Sequence, residues 1–140
     1  MELQPTHHCF DDAMEYLDAR ARSDASLDML VLVHGIIIGP SGEPFAHAWI
    51  EEGPRVIDAG LLDGERVYYA CAREEFYASR TITLTKSYTW RQAATENRRS
   101  GHFGPWDPEL AALCGQSHAI HGAVTIRAAV ARSTKGEPNA

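Results

Sequence analysis

Cysteine is scarce in this chain, and its cysteines are far apart. There are three, at Cys9, Cys71 and Cys114, and no pair has CxxC spacing. An odd and scattered set excludes a disulfide framework, and a reducing cytoplasm fits such a set better. Because neither CxxC nor HxxxH spacing occurs, the sequence gives no support for a zinc site either.

Long apolar runs and an excess of positive charge are also missing. No apolar run approaches the roughly 20 residues that a membrane span needs. The N-terminus MELQPTHHCF has no basic region followed by an apolar run, so we expect no signal peptide. The net charge of −6 argues against a nucleic-acid or anionic-membrane partner held by bulk electrostatics. GPSG lacks the lysine and the following helix of a phosphate-binding loop, and we expect no cofactor.

The chain has the size and composition of one globular domain. It contains 140 residues, 44% of them hydrophobic, which is enough for a real core and too many for a disordered chain. We predict one domain over residues 1–130 and a disordered tail over residues 131–140.

A helix is predicted over residues 9–22, directly behind a short polar lead. Asp11 and Asp12 lie in its first turn and Arg20 and Arg22 in its last, as the helix dipole favours. Apolar residues recur on one face at helical spacing, at Phe10, Ala13, Met14, Leu17 and Ala21.

The stretch LVLVHGIIIGPSGEPFAHAWIEEGPRVIDA, residues 30–59, reads as three strands joined by two turns. The first strand, 29–38, is apolar enough to be covered on both faces. The second is 45–52, and the third is 55–58, ending at Asp58. Further strands are predicted at 66–70 and 80–89, with helices at 72–79, at 89–99 and over ELAALC. A helix followed by an antiparallel meander predicts an α+β fold, with the N-terminal helix packed on a mostly antiparallel sheet.

Three residues in this order have the chemistry of a hydrolytic triad. A thiol attacks carbonyls only as the thiolate, which the free N–H groups of a helix N-terminus favour, and Cys9 opens the first helix. His47 would be the base, and Asp58 would fix its tautomer. The EEGP turn is expected to pair position 47 with the 57–58 region. The backbone N–H of Cys9 and the side chain of Gln4 are the candidate oxyanion donors.

The same residues resemble a known superfamily. A cysteine that opens a helix, a strand reading VHG, a second reading HAWIE and then VID is similar to small bacterial papain-like and transglutaminase-like proteins. The resemblance covers about residues 4 to 60. It implies that Cys9 is the nucleophile, His47 the base and Asp58 the orienter, on a papain-like or transglutaminase-like core. It also implies a protein or peptide substrate that is attacked at an amide or isopeptide bond.

Other interpretations of these residues stay open. The domain can be a non-catalytic inhibitor or adaptor that binds a protein on the same fold. Cys71 also precedes a predicted helix and is a rival nucleophile. A further alternative is a metal site made of histidines and a cysteine, at His7, His8, Cys9 and His47.

Three further features have both a structural and a functional interpretation. His34 either lines the cleft or hydrogen-bonds within the sheet, and Trp49 belongs either to the core or to the site. SGHFGPW, residues 100–106, is either a lid or a rigid loop pinned by Phe103 and Trp106. The sequence gives neither the substrate nor the oligomeric state.

Overall fold

The computed structural model describes residues 8–23 and 29–121, with side chains as far as Cys114. Gln4, His7 and the predicted tail at 131–140 lie outside the described residues. The described elements, in chain order, are α1 (Cys9–Arg22), β1 (Leu30–Ile38), β2 (Pro44–Glu52), β3 (Arg55–Leu62), β4 (Glu65–Ala72), α2 (Arg73–Ala78), β5 (Thr81–Thr89), α3 (Trp90–Ser100) and α4 (Pro108–His121).

The five strands form one antiparallel sheet in the order β4-β3-β2-β1-β5. With helices packed against this sheet, the fold is α+β, as the sequence predicts. None of the helices in the described part of the chain is long and apolar enough to cross a membrane.

Apolar side chains are buried on both faces of the sheet. Leu32 and Val33, neighbours in β1, belong to different core clusters and are both fully buried. The prediction that the first strand is covered on both faces is therefore confirmed. The cluster on the α1 side includes Leu17, Leu30, Leu32, Ala48, Ile50 and Ile57, and the opposite cluster consists of Val33, Ile37, Trp49, Val56 and Phe76.

The third strand is longer than the sequence predicts. It continues past Asp58 to Leu62, and a two-residue turn at Asp63 and Gly64 leads into β4. Both turn residues have positive φ, 53° and 81°, which matches the twist of a tight hairpin. The predicted end of this strand at Asp58 is therefore wrong, because Ala59 and Gly60 also lie within the strand and pair with β4.

The ladder between β2 and β3 is short. It consists of three residue pairs next to the hairpin and ends at Ile50–Ile57. Continued at the same register, it would place His47 opposite Gly60, so the expected pairing of position 47 with 57–58 is wrong. The turn has only two residues, Gly53 and Pro54, and this sets the register. His47 instead lies diagonally from Asp58 on the same face, within reach of a long side chain.

Candidate active site

Cys9 is the first residue of α1. The first bond of the helix runs from the Asp12 N–H to the His8 carbonyl oxygen at 2.8 Å, and the His8 side chain makes no capping hydrogen bond. The N–H groups of Cys9, Phe10 and Asp11 therefore have no acceptor within the helix. Cys9 is 9% exposed, so its thiol lies beside the positive end of the helix dipole with little competing water.

His47 and Asp58 are joined by a hydrogen bond at the point where the β2–β3 ladder ends. The His47 Nε2 lies 2.9 Å from Oδ1 and 3.1 Å from Oδ2 of the carboxylate. Their side chains are 14% and 5% exposed. Since a carboxylate only accepts hydrogen bonds, Nε2 carries the proton and Nδ1 is the nitrogen left to face another group.

Asp58 has two more donors, and one of them is a residue that the sequence did not single out. The Tyr69 hydroxyl donates to Oδ2 at 3.0 Å, and the Ala59 N–H donates to Oδ1 at 2.9 Å. Tyr69 pairs directly with Asp58 across the β3–β4 ladder. Adjacent residues of a strand point to opposite faces, so the sequence VYYA, residues 67–70, predicts that one of its two tyrosines lies on the same face as Asp58. Only the pairing register of the strands identifies this tyrosine as Tyr69.

The charges of the site favour a protonated His47 beside an ionised Asp58. Burial alone would lower the pKa of His47, but the charges of Asp58 and Cys9, and hydrogen bonds to both side chains, hold that pKa well above its usual range. Burial alone would raise the pKa of Asp58, but the His47 charge and the hydrogen bonds from His47, Tyr69 and Ala59 lower it. The structure thus brings together all three predicted residues, with His47 between Cys9 and Asp58.

Trp49 supports the His47 ring from the core. The two rings stack with centroids 5.9 Å apart and an interplanar angle of 30°. Trp49 is fully buried, and its Nε1 donates to the Tyr77 hydroxyl at 3.2 Å. Tyr77 donates in turn to the Glu51 carboxylate. Trp49 therefore belongs to the core and forms the inner wall behind the base.

His34 has neither of its two expected roles. The ring is fully buried among Phe10, Tyr88 and Trp106, whose centroids lie 4.7, 5.1 and 5.1 Å away, so it does not line an open cleft. Neither ring nitrogen has a hydrogen-bond partner among the described residues, so the expected bond within the sheet is absent. Burial lowers the pKa of His34 to about 3, which keeps this ring neutral.

The segment 100–106 is held by hydrogen bonds that favour the rigid-loop interpretation. The His102 carbonyl oxygen accepts from Trp106 Nε1 at 3.1 Å and from Asn97 Nδ2 at 3.0 Å. The Gly104 N–H donates to His102 Nδ1 at 3.0 Å. Trp106 packs on His34, whereas Phe103 is 42% exposed.

The structure gives less support to a nucleophile other than Cys9 and to a metal site. Burial raises the pKa of the Cys71 thiol, and burial with a smaller contribution from Cys9 raises that of Cys114 to about 12, so both thiols stay protonated. In the described part of the chain, no three His, Cys, Asp or Glu side chains are grouped as metal ligands. Gln4 lies outside that part, which leaves its predicted oxyanion role a prediction.

Comparison with known proteins finds no match to a family model, to a curated protein or to a solved structure. The candidate site therefore depends on its own geometry.

Proposed function

We propose that this protein is a thiol-dependent hydrolase or acyltransferase that acts on an amide or isopeptide bond of a protein or peptide. One observation carries the proposal: His47 interacts with the Cys9 side chain and, through Nε2, with Asp58 at 2.9 Å. A nucleophile, a base and a group that fixes the base's tautomer are the parts that covalent acyl transfer needs.

The first half-reaction forms a thioester. The Cys9 thiolate attacks the carbonyl carbon, a C–S bond forms, and the carbonyl oxygen becomes an oxyanion. The N–H groups of the first turn of α1, that of Cys9 first, would stabilise this charge. The imidazolium of His47 then gives its Nδ1 proton to the leaving nitrogen as the C–N bond breaks.

The second half-reaction releases the acyl group. His47, now neutral, accepts a proton from water or from an amine that attacks the thioester carbon. The C–S bond breaks, and the Cys9 thiolate and the imidazolium return. Water gives a carboxylic acid, and an amine gives a new amide. Asp58 keeps the proton on Nε2 throughout, so that Nδ1 is the nitrogen that exchanges protons with the reactants.

A papain-like or transglutaminase-like relationship is part of the proposal. The order of helix-borne cysteine, strand-borne histidine and aspartate on the next strand supports it. A reducing compartment such as the cytoplasm suits an enzyme whose nucleophile is a free thiol.

Trapping the thioester tests the function. The protein is incubated with short peptide thioesters or activated esters as acyl donors, and its intact mass is followed. We expect an acyl adduct that maps to Cys9, that disappears on addition of an amine, and that is absent in Cys9→Ala. In His47→Gln, the adduct should form at least about tenfold more slowly, because general-base assistance contributes that much or more. An adduct that maps equally to Cys71 or Cys114 would contradict the proposal.

A non-catalytic binding module is the second candidate, and one observation about the surface favours it. Two surface cavities of about 450 and 270 Å³ are lined by described residues that include none of the triad. A module would bind its partner equally well in wild type and in Cys9→Ala, and would form no acyl adduct.

A further inference from the structure

The carboxylate of Asp58 is held more tightly than a tautomer-fixing group requires. His47 Nε2 lies within 3.1 Å of both oxygens, the Ala59 N–H binds Oδ1, and the Tyr69 hydroxyl binds Oδ2. With a side chain only 5% exposed, Asp58 cannot replace a lost donor by bulk water. Each of these donors therefore affects how stable and how well oriented the anion is.

Tyr69 is the only side chain besides His47 that the structure shows donating to this carboxylate among the described residues. Its position is fixed by the sheet, because β3 and β4 pair over eight residues and Tyr69 is directly opposite Asp58. Burial, together with the charge of Asp58 and their hydrogen bond, raises the pKa of Tyr69, so that the hydroxyl keeps its proton and remains a donor.

We infer that Tyr69 is a positioning residue of the candidate active site: its hydroxyl holds the Asp58 carboxylate in the orientation from which Asp58 binds His47. This inference rests on the proposed function. Tyr69 acts on Asp58 through a hydrogen bond, and Asp58 acts on His47 through Nε2. His47 in turn interacts with the Cys9 side chain.

Removal of the Tyr69 hydroxyl should change how the reactivity of Cys9 depends on pH. Oδ2 loses a donor, so the carboxylate takes up a proton at a higher pH and holds the imidazolium less well. The imidazolium in turn stabilises the Cys9 thiolate. The pH below which Cys9 loses its reactivity should therefore move upward in Tyr69→Phe.

The same strand offers a matched control. Tyr68 also donates a hydroxyl hydrogen bond, at 2.8 Å, but to the backbone carbonyl oxygen of Asp12 in α1 and not to the Asp58 carboxylate. Tyr68→Phe removes the same atom from the adjacent residue. A purely structural role of these tyrosines would affect both variants alike.

The experiment measures the rate of alkylation of Cys9 by iodoacetamide against pH, by peptide mass spectrometry, in wild type, Tyr69→Phe and Tyr68→Phe. We expect the acid limb of the Tyr69→Phe profile to lie at a higher pH than in wild type, by up to about one pH unit, since a hydrogen bond to a charged group is worth about that much at Asp58 itself and only part of it reaches Cys9. The Tyr68→Phe profile should coincide with wild type.

Two outcomes overturn the inference while the proposed function stands: a Tyr69→Phe profile that coincides with wild type, and an equal displacement in both variants. If wild-type Cys9 itself titrates like an ordinary thiol, the proposed function fails, and the inference with it.

If Tyr69→Phe does not fold, wild type carries the test. The pKa of Asp58, read from its carboxyl carbon shift by NMR, should lie below the usual value of about 3.9. A value at or above that figure would overturn the inference.

Discussion

Two buried histidines of this protein have opposite surroundings. His47 is flanked by Asp58 and Cys9, which hold its pKa well above the usual range, whereas burial without a partner lowers the pKa of His34 to about 3. The strand pattern places both residues in the same sheet, one on each face. Partners therefore decide which histidine is available for proton transfer.

The His34 environment predicts a loss of stability in acid. The unfolded chain binds a proton at His34 near pH 6.5 and the folded chain only near 3, so the unfolded state carries more protons between these values. His34 should therefore lower the free energy of unfolding, as pH falls from 6.5, by up to about 1.4 kcal/mol per pH unit. Urea unfolding of wild type and His34→Leu from pH 7 to pH 4 measures this.

In that comparison, the difference between the two proteins isolates His34, because the His47–Asp58 pair is present in both. The wild-type free energy of unfolding should fall more steeply. Parallel pH dependences would show that His34 is protonated in the folded state.

Replacement of Asp58 by Asn is expected to destabilise the protein strongly. An amide nitrogen at the Oδ2 position would point its N–H bonds at the donors His47 Nε2 and Tyr69 Oη, and the buried imidazolium would lose its counter-charge. Removing one partner of a buried ion pair costs about 3–5 kcal/mol. Asp63→Asn, in an exposed turn, is the matched control and should cost little. A loss below about 1 kcal/mol for Asp58→Asn would mean that the pair is not ionised.

At the scale of elements, the site depends on how closely β1 and β2 pack. Gly35 of β1 is paired with His47 of β2, and a Cβ built on Gly35 would lie 2.6 Å from a ring carbon of Trp49. Trp49 stacks on His47, so a displacement of the Trp49 ring should also displace the His47 ring.

Gly35→Ala should therefore affect both stability and reactivity. Overpacking of a core costs about 1–3 kcal/mol, and the displaced indole should slow alkylation of Cys9. Gly39→Ala is the control, because a Cβ there meets its nearest atom at 3.4 Å. Thermal unfolding and alkylation rates measure the two effects. Equal behaviour of the two variants would show that Trp49 does not position His47.

At the scale of the whole molecule, local patterns predict the elements but not how they meet. A continuous apolar run predicts β1, and charged residues at the two ends of a helix predict α1, because these signals lie within one segment. The order of Cys9, His47 and Asp58 likewise suggests a triad. What brings them together is the end of the β2–β3 ladder at Ile50–Ile57, which depends on pairing between strands.

The features that sequence reasoning missed all depend on contacts between different segments of the chain. Tyr69 reaches Asp58 because β4 pairs with β3, in a register set by the turn at Asp63 and Gly64. His34 is enclosed because Trp106, over seventy residues away in the chain, packs on its ring. Ala59 and Gly60 lie beyond the predicted end of the third strand because small residues have weak strand propensity, and pairing with β4 overrides that propensity.

The central claim is that Cys9 is activated by His47, and the relative reactivity of the three cysteines tests it most directly. Wild-type protein is treated with iodoacetamide at about pH 6, and the alkylation rate of each cysteine is read from its peptide. Cys9 should react at least about tenfold faster than Cys71 and Cys114, although Cys9 is the most buried of the three, and His47→Gln should abolish that difference. A Cys9 that reacts no faster than Cys71, or equally fast without His47, would contradict the account.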